Sequence, residues 1–328
     1  LLTYRAILTD PREASSMNAR ISVVVLTHNR VREVTRTIER LLSLPEKPPI
    51  IVADNGSDDS TVAELERRFP DVLTIACGAN LGAAGRNRAV MRATTDYVAF
   101  SDDDTSWEPG SLAEAVRVLD AAPRVAVLSG KVLVGDERRI DRTCSRMSAS
   151  PLGSEGLPGP SLIGYMAGAC VFRTALFREI GGYEPRLFIG GEEELVALDV
   201  LEAGHAIVYC DSIVTTHWPS SSRDASLRQR MLARNAALIA WLRLPLSEAL
   251  EATWRAFAEL MHQRRLARHA PSLLRDLLWA IRRRRVVSAR VIHMRRQVRD
   301  AERDVAFRPD YGRVPRSRPA FRSNERRQ

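Results

Sequence analysis

"ISVVVLTHNR" (residues 21–30) and "PIIVADNGSDDST" (49–61) decide how this chain folds, because each is an unbroken, largely β-branched run that ends in a cluster of polar residues. Such a run, apolar without alternation, marks a strand covered on both faces, as in a parallel sheet. Between the two, Val31 to Leu44 carries Val34, Ile38, Leu41 and Leu42 at helical spacing. The unit then recurs. A helix over 62–69, capped by Ser60 or Thr61, leads to a strand over 72–78. A loop and helix follow in "ANLGAAGRNRAVMRAT", then a strand in "YVAFSDDD" (97–104), a helix over 110–120 and a strand over 125–134. This alternation predicts an α/β protein with a doubly wound, mostly parallel sheet. Ligands of such sheets bind beyond the carboxyl ends of the strands. Thr27, His28, Asn29, Asp54, Asn80 and the triplet Asp102, Asp103 and Asp104 are therefore expected along one edge.

Further on, a stretch rich in Gly, Pro and Ser, from Ser145 to Gly159, reads as a flexible loop over that crevice. Residues 164–183 read as a strand running into a helix that stops at Gly181 and Gly182, 193–203 as a helix and 206–218 as a last strand. The expected organisation is an N-terminal extension (1–19, with Met17 as a candidate native start), a catalytic domain (20–222), a basic amphipathic helical region (223–305) and a disordered tail (306–328).

With 328 residues, 45% hydrophobic and 27% charged, the chain has the composition of a globular protein. No apolar run approaches the roughly 20 residues of a spanning helix, and no secretory signal is visible. Cys77, Cys144, Cys170 and Cys210 form no C-x-x-C pair, which argues against a zinc knuckle or a disulfide framework and for a reducing, cytoplasmic location. The net charge of +9 conceals an asymmetry: from Arg223 onward there are 26 arginines against 10 acidic residues, leaving 23 basic and 30 acidic residues before it. The two parts are expected to do different work. With Lys47 and Lys131 the only lysines, part of the arginine bias is compositional.

Asp102 and Asp104 form a D-x-D pair at a strand end, a donor set suited to a hard cation such as Mn2+ or Mg2+ shared with substrate phosphates. The plainer reading is a solvated loop that caps the helix near Pro109. There is no G-x-G-x-x-G after the first strand and no P-loop signature; "NLGAAG" alone reads equally as a tight turn. Glu192, Glu193 and Glu194 open a helix, where its dipole favours carboxylates, and the two preceding glycines admit a substrate to a general base. His217 ends the last strand at the same edge.

Taken in order, "SVVVLTHNR", "IIVADNGSDDST", "NLGAAGRNRAV", "YVAFSDDDT", "GACVFRTALFREIGGYEPRLFIGGEEEL" and "TTHWPSSSRD" resemble the family 2 glycosyltransferases, inverting enzymes of the nucleotide-diphospho-sugar transferase (GT-A) fold. The resemblance spans about residues 21–224 and implies a metal-dependent transfer of a sugar from a UDP- or dTDP-sugar to a hydroxyl of a glycan or lipid-linked acceptor, as in polysaccharide biosynthesis. It implies that Thr27, Asn29 and Arg30 line the nucleotide pocket and that Asp54 bonds the base. Arg86 would face the base or diphosphate, Asp103 the ribose side or the structure beneath, and Gly168 would lie in the loop beneath the sugar and acceptor. Asp102, Asp104 and His217 would serve the cation. Counting back from Gly204 aligns Glu193 with the family's catalytic aspartate, with Glu192 and Glu194 as alternatives. This is a departure in side-chain length, and misplacement of about one methylene can cost roughly 100-fold in rate. A nucleotide-sugar-binding protein without turnover and a nucleotidyltransferase are the competing expectations.

In the basic region, Leu250, Trp254, Phe257 and Leu260, then Leu273, Leu274, Leu277, Leu278 and Ile281, fall at helical spacing before "RRRR" (282–285). They fit a helical appendage packed on the catalytic domain, or a peripheral contact with the inner face of the cell membrane. Nothing matches a nucleic-acid recognition module.

Overall fold

The structure, a computed structural model, describes residues 19–219 and 225–306. Nearly all of the expected N-terminal extension and tail lie outside the described residues. In chain order the first half contains β1 (Ile21–Thr27), α1 (Val31–Leu42), β2 (Ile50–Asp54), α2 (Thr61–Arg68), β3 (Leu73–Ala76), α3 (Gly85–Val90), β4 (Tyr97–Asp102), β5 (Thr105–Trp107), α4 (Ser111–Ala121) and β6 (Val125–Val134). Then come β7 (Arg139–Ile140), α5 (Arg142–Ser148), β8 (Ser161–Leu162), β9 (Cys170–Arg173), α6 (Thr174–Glu179), α7 (Glu192–Glu202) and β10 (Ala206–His217). Four helices follow: α8 (Ala225–Arg243), α9 (Leu246–His262), α10 (Leu266–Arg282) and α11 (Ala289–Ala306).

The strands form one sheet in the order β3-β2-β1-β4-β9-β6-β10-β5. As expected, β3, β2, β1 and β4 run parallel, with Thr27 level with Asp54 and Leu26 level with Asp102. These registers bring the polar strand ends to one edge. Val23, Val24 and Val25 are fully buried, because alternate valines face the helix layers on opposite sides of the sheet, each burial stabilising by about 1.5–3 kcal/mol. The second half is mixed: β9 is antiparallel to both β4 and β6. Behind β4 and β9, Phe100, Phe172, Phe177 and Tyr183 pack with ring centroids 5.2 to 6.1 Å apart.

Several local expectations are corrected. Leu42 is 45% exposed, on the far face of α1 from Val34, Ile38 and Leu41. Neither Ser60 nor Thr61 caps α2 with its side chain; Asp59 accepts from the Thr61 amide and hydroxyl. The aspartate triplet does not cap α4, whose first turn is entered through Gly110 at φ +84°. Thr105–Trp107, to which the sequence assigns no element, is a strand antiparallel to β10 that sets His217 opposite Thr105. Ser145–Ser148 complete α5, and the segment beyond is tied down by Ser161 N to Gly153 O (2.7 Å) and Tyr209 N to Pro160 O (3.0 Å).

The "NLGAAG" turn has a definite packing role. Gly82 has φ +60°, and a Cβ there would lie 2.0 Å from the Phe188 carbonyl oxygen, which instead accepts from the Ala83 amide at 2.7 Å. Gly78 also has positive φ but faces open space. Gly82→Ala is therefore expected to cost about 2–4 kcal/mol, from strain and collision together. Gly78→Ala should cost only about 1–2 kcal/mol, and denaturant unfolding of the two variants measures the difference. Equal costs would contradict the close approach.

Candidate active site

The crevice at the carboxyl edge is built in two layers. In the inner one, Asp103 points down: its carboxylate accepts from Thr27 Oγ1 (3.1 Å) and Arg30 Nη1 (2.8 Å), while its backbone oxygen accepts from Thr37 Oγ1 (2.7 Å). Burial pushes its carboxyl up to about 6, against the opposing pull of Arg30. Thr27, Arg30 and Asp103 thus brace the turn with one another. With that residue inward, its neighbours Asp102 and Asp104 are the ones left for the crevice.

Asp102 is 38% exposed and ion-paired with the buried Arg86 of α3. Gly168 lies directly against it, since a Cβ there would come within 2.7 Å of Asp102 Oδ2. Asp104 sits deeper, its Oδ1 3.4 Å from His217 Nε2 and its Oδ2 3.7 Å from Arg30 Nη1. The Trp218 amide donates to the Asp104 carbonyl at 2.8 Å, so the β5–β10 pairing fixes the histidine beside the carboxylate. Among the described residues no three ligating groups already converge as a complete cage. Two carboxylates and an imidazole at one edge nevertheless fit a cation of the Mg2+ or Mn2+ kind, which usually takes one or two protein carboxylates and completes its shell with phosphates and water.

Asn29 and Asp54 shape the loops. Asn29, at φ +53°, receives the Asp58 amide on Oδ1 (2.9 Å) and donates its own amide to Ser57 Oγ (2.8 Å). Buried Asp54 accepts both the amide and the hydroxyl of Ser57. Asn55, which sequence reasoning passed over, donates to the Gly82 carbonyl at 2.8 Å and ties the second loop to the third.

The glutamates separate into three environments. Glu194 is claimed by an ion pair with Arg295 of α11. Glu193 is half-buried and within electrostatic reach of Arg86, Tyr165, Cys170 and Tyr183. Glu192 is 5% exposed, with Oε2 buried and lacking a hydrogen-bond partner among the described residues. Burial first, and then the neighbouring Glu193 charge, push its carboxyl up to about 7. Arg86 links these groups to the aspartates: burial disfavours its charge, but Asp102, Tyr183, Glu192 and Glu193 outweigh that and hold it above the usual guanidinium range.

The loop before α7 is held from the C-terminal helices. Buried Asn235 of α8 donates to the carbonyls of Leu187 (2.7 Å), Ile189 (3.1 Å) and Gly190 (2.8 Å). Arg234 adds a bond to Arg186 O at 3.0 Å, and Arg243 pairs with Asp199 on α7. A single asparagine within an amphipathic run gives no signal of this role in the sequence.

A family model described as "Glycosyl transferase family 2" matches residues 22–181. The chain is 23% identical over 300 residues to N-acetylglucosaminyl-diphospho-decaprenol L-rhamnosyltransferase of Mycobacterium tuberculosis, the match covering 81% of this chain and 96% of that protein. Among solved structures it resembles mannosyltransferase PcManGT from Pyrobaculum calidifontis in complex with GDP-Man and Mn2+, at 17% identity and a TM-score of 0.53, covering 88% of this chain and 87% of the other. It also resembles S. aureus TarS 1-349 in complex with UDP, at 18% identity and a TM-score of 0.52, covering 87% and 92%. These likenesses establish a GT-A fold with C-terminal helices.

Glu192 generates a pH prediction. Its proton is held more tightly in the folded than the unfolded chain, so its stabilising contribution is complete below the ordinary value of 4.5 and is lost as pH rises through about 7. Wild type should lose ~1–3 kcal/mol relative to Glu192→Gln across this window, each pKa unit being worth about 1.4 kcal/mol. Thermal unfolding of both proteins over pH measures it; a pH-independent difference would contradict the assignment.

Proposed function

From its membership, through residues 22–181, of glycosyl transferase family 2, we propose that this glycosyltransferase moves a hexose or deoxyhexose from a UDP- or dTDP-sugar to a hydroxyl of a lipid-linked glycan acceptor, with inversion at the anomeric carbon. The observation that carries the reading is Arg86, which pairs with Asp102 on one side and lies in electrostatic reach of Glu192 and Glu193 on the other. It joins a place for a leaving diphosphate to a place for a base. The Mycobacterium tuberculosis relative, named for an L-rhamnosyl transfer to N-acetylglucosaminyl-diphospho-decaprenol, supports the acceptor class and a deoxyhexose donor.

Glu193 serves as the general base. It opens α7 next to the crevice and is less buried than Glu192, so an acceptor hydroxyl can reach it and give up its proton as its oxygen attacks the anomeric carbon. Glu192 lies behind it as a carboxyl that holds a proton near neutrality. Repulsion between the adjacent carboxylates keeps the shared proton on the more buried Glu192 and leaves Glu193 as the ionised member that can take the acceptor's proton. Arg86, charged at every working pH, neutralises charge on the departing diphosphate oxygen. Asp102, Asp104 and His217 would hold the divalent cation, which supplies Lewis-acid stabilisation of the diphosphate when bound. Asn29, Asp54 and Asn55 keep the nucleotide-side loops closed on one another, and Gly168 leaves room beneath the sugar. The displacement has one step, so no sugar is attached to the protein at any stage.

Release of UDP or dTDP from a panel of nucleotide sugars, with a short-chain lipid diphosphate-linked glycan as acceptor, tests the reading. Glu193→Gln is expected to lower kcat by about 100-fold or more, with nucleotide binding kept, and Glu193→Asp to recover part of the loss. Asp104→Asn should abolish the Mn2+- or Mg2+-dependent turnover. Full turnover in Glu193→Gln would shift the base to Glu192. Turnover independent of metal would remove the cation from the reading.

A further inference from the structure

Helix α10 and the turns at its two ends carry a surface the catalytic crevice does not use. Arg264, Arg265, Arg268, Arg275, Arg282, Arg283 and Arg285 are all exposed there. Between Leu260 and Arg299 the only acidic residue is Asp276, which is buried, paired with Arg234 at 2.7 Å and 3.7 Å from Arg275. Among these arginines stand exposed apolar side chains: Leu274 (51%), Leu278 (56%) and Ile281 (41%), at positions i, i+4 and i+7 of one helix face. Their neighbours Leu273 and Leu277 are buried against the other helices. The adjoining α9, which touches α10, exposes a second stripe of Leu246, Leu250, Trp254 and Met261.

Exposed leucines at helical spacing are costly in water, and seven exposed arginines, of which among the described residues only Arg275 has a nearby carboxylate, the buried Asp276, repel one another, so one occupant has to relieve both penalties. A second copy of the chain would cover the leucines but set arginine against arginine. Nucleic acid would match the charge and leave the aliphatic stripe in water. We propose that α9 and α10 dock this protein on the surface of an anionic phospholipid bilayer, the aliphatic stripe entering the interface and the arginines meeting lipid phosphates.

The placement suits the proposed acceptor without depending on it. Arg186 lies over the Trp279 ring at 4.7 Å, beside a cleft of about 540 Å³ that Arg275, Arg282 and Arg283 also line. Arg186 precedes the segment 187–191 that leads into Glu192. A diphosphate-linked glycan carried in the bilayer would thus meet the arginine surface on its way to the base.

Co-sedimentation of the full chain with vesicles tests the inference in the absence of any nucleotide sugar, so its failure is separable from failure of the transferase reading. Binding is expected to vesicles of about one-third phosphatidylglycerol and to be about ten-fold or more weaker to pure phosphatidylcholine, falling further with salt. The pairs Arg265→Glu with Arg268→Glu, and Leu274→Ser with Leu278→Ser, should each lower binding at least about ten-fold, while turnover with a soluble acceptor is unchanged. Equal binding to neutral vesicles, no binding, or wild-type binding in both pairs would overturn the proposal. So would tighter binding to a short oligonucleotide, or a dimer that the leucine pair dissociates. The wild-type lipid and salt dependence stands even if a variant misfolds.

Discussion

The buried guanidinium of Arg86 is the constraint on which the crevice depends. An arginine 5% exposed carries a desolvation cost of several kcal/mol unless charge returns it. Asp102, in direct contact, and Glu193 supply that charge from two different parts of the chain. Arginine suits the place because it stays charged where a lysine would lose its proton. It arrives there because Gly85 lacks a side chain: a Cβ would fall 2.2 Å from Asn55 Oδ1 and 2.7 Å from Leu26 Cδ1, so α3 could not approach β1 and β2 as it does. A glycine in the sequence thus becomes a charge in the crevice.

The second dependence runs through the C-terminal helices. Asn235 satisfies three carbonyls of the segment before α7, and Arg243 and Arg295 hold two acidic side chains of α7 itself. Removing Glu194 from the crevice by its pair with Arg295 leaves Glu192 and Glu193 as the carboxylates beside Arg86. Helices that look like an appendage in the sequence therefore act on the geometry of the proposed base. The same region turns its other face, arginine and leucine together, outward.

The parallel half of the sheet was legible because its strands are buried on both faces and read as continuous apolar runs. The edge on which Asp54, Asp102, Asp104 and His217 gather followed from that. The roles within the triplet were less legible, since three aspartates in a row look alike until burial sends Asp103 inward onto Thr27 and Arg30. Thr105–Trp107 was hidden because three residues carry no period, yet this strand brings His217 to Asp104. Asn235 and Gly82 were hidden for a different reason. Their partners are backbone carbonyls, and no residue pattern records where a carbonyl will point.

If Arg86 joins leaving group to base, nucleotide binding has to be sensitive to both the cation and this side chain. The most direct measurement is calorimetric titration of UDP and dTDP into wild type and folded Arg86→Met, each with and without Mn2+. For at least one nucleotide, Mn2+ should tighten binding to wild type about ten-fold or more, and Arg86→Met should weaken it by about 100-fold, or ~3 kcal/mol. Affinities indifferent to both Mn2+ and the arginine would contradict the account.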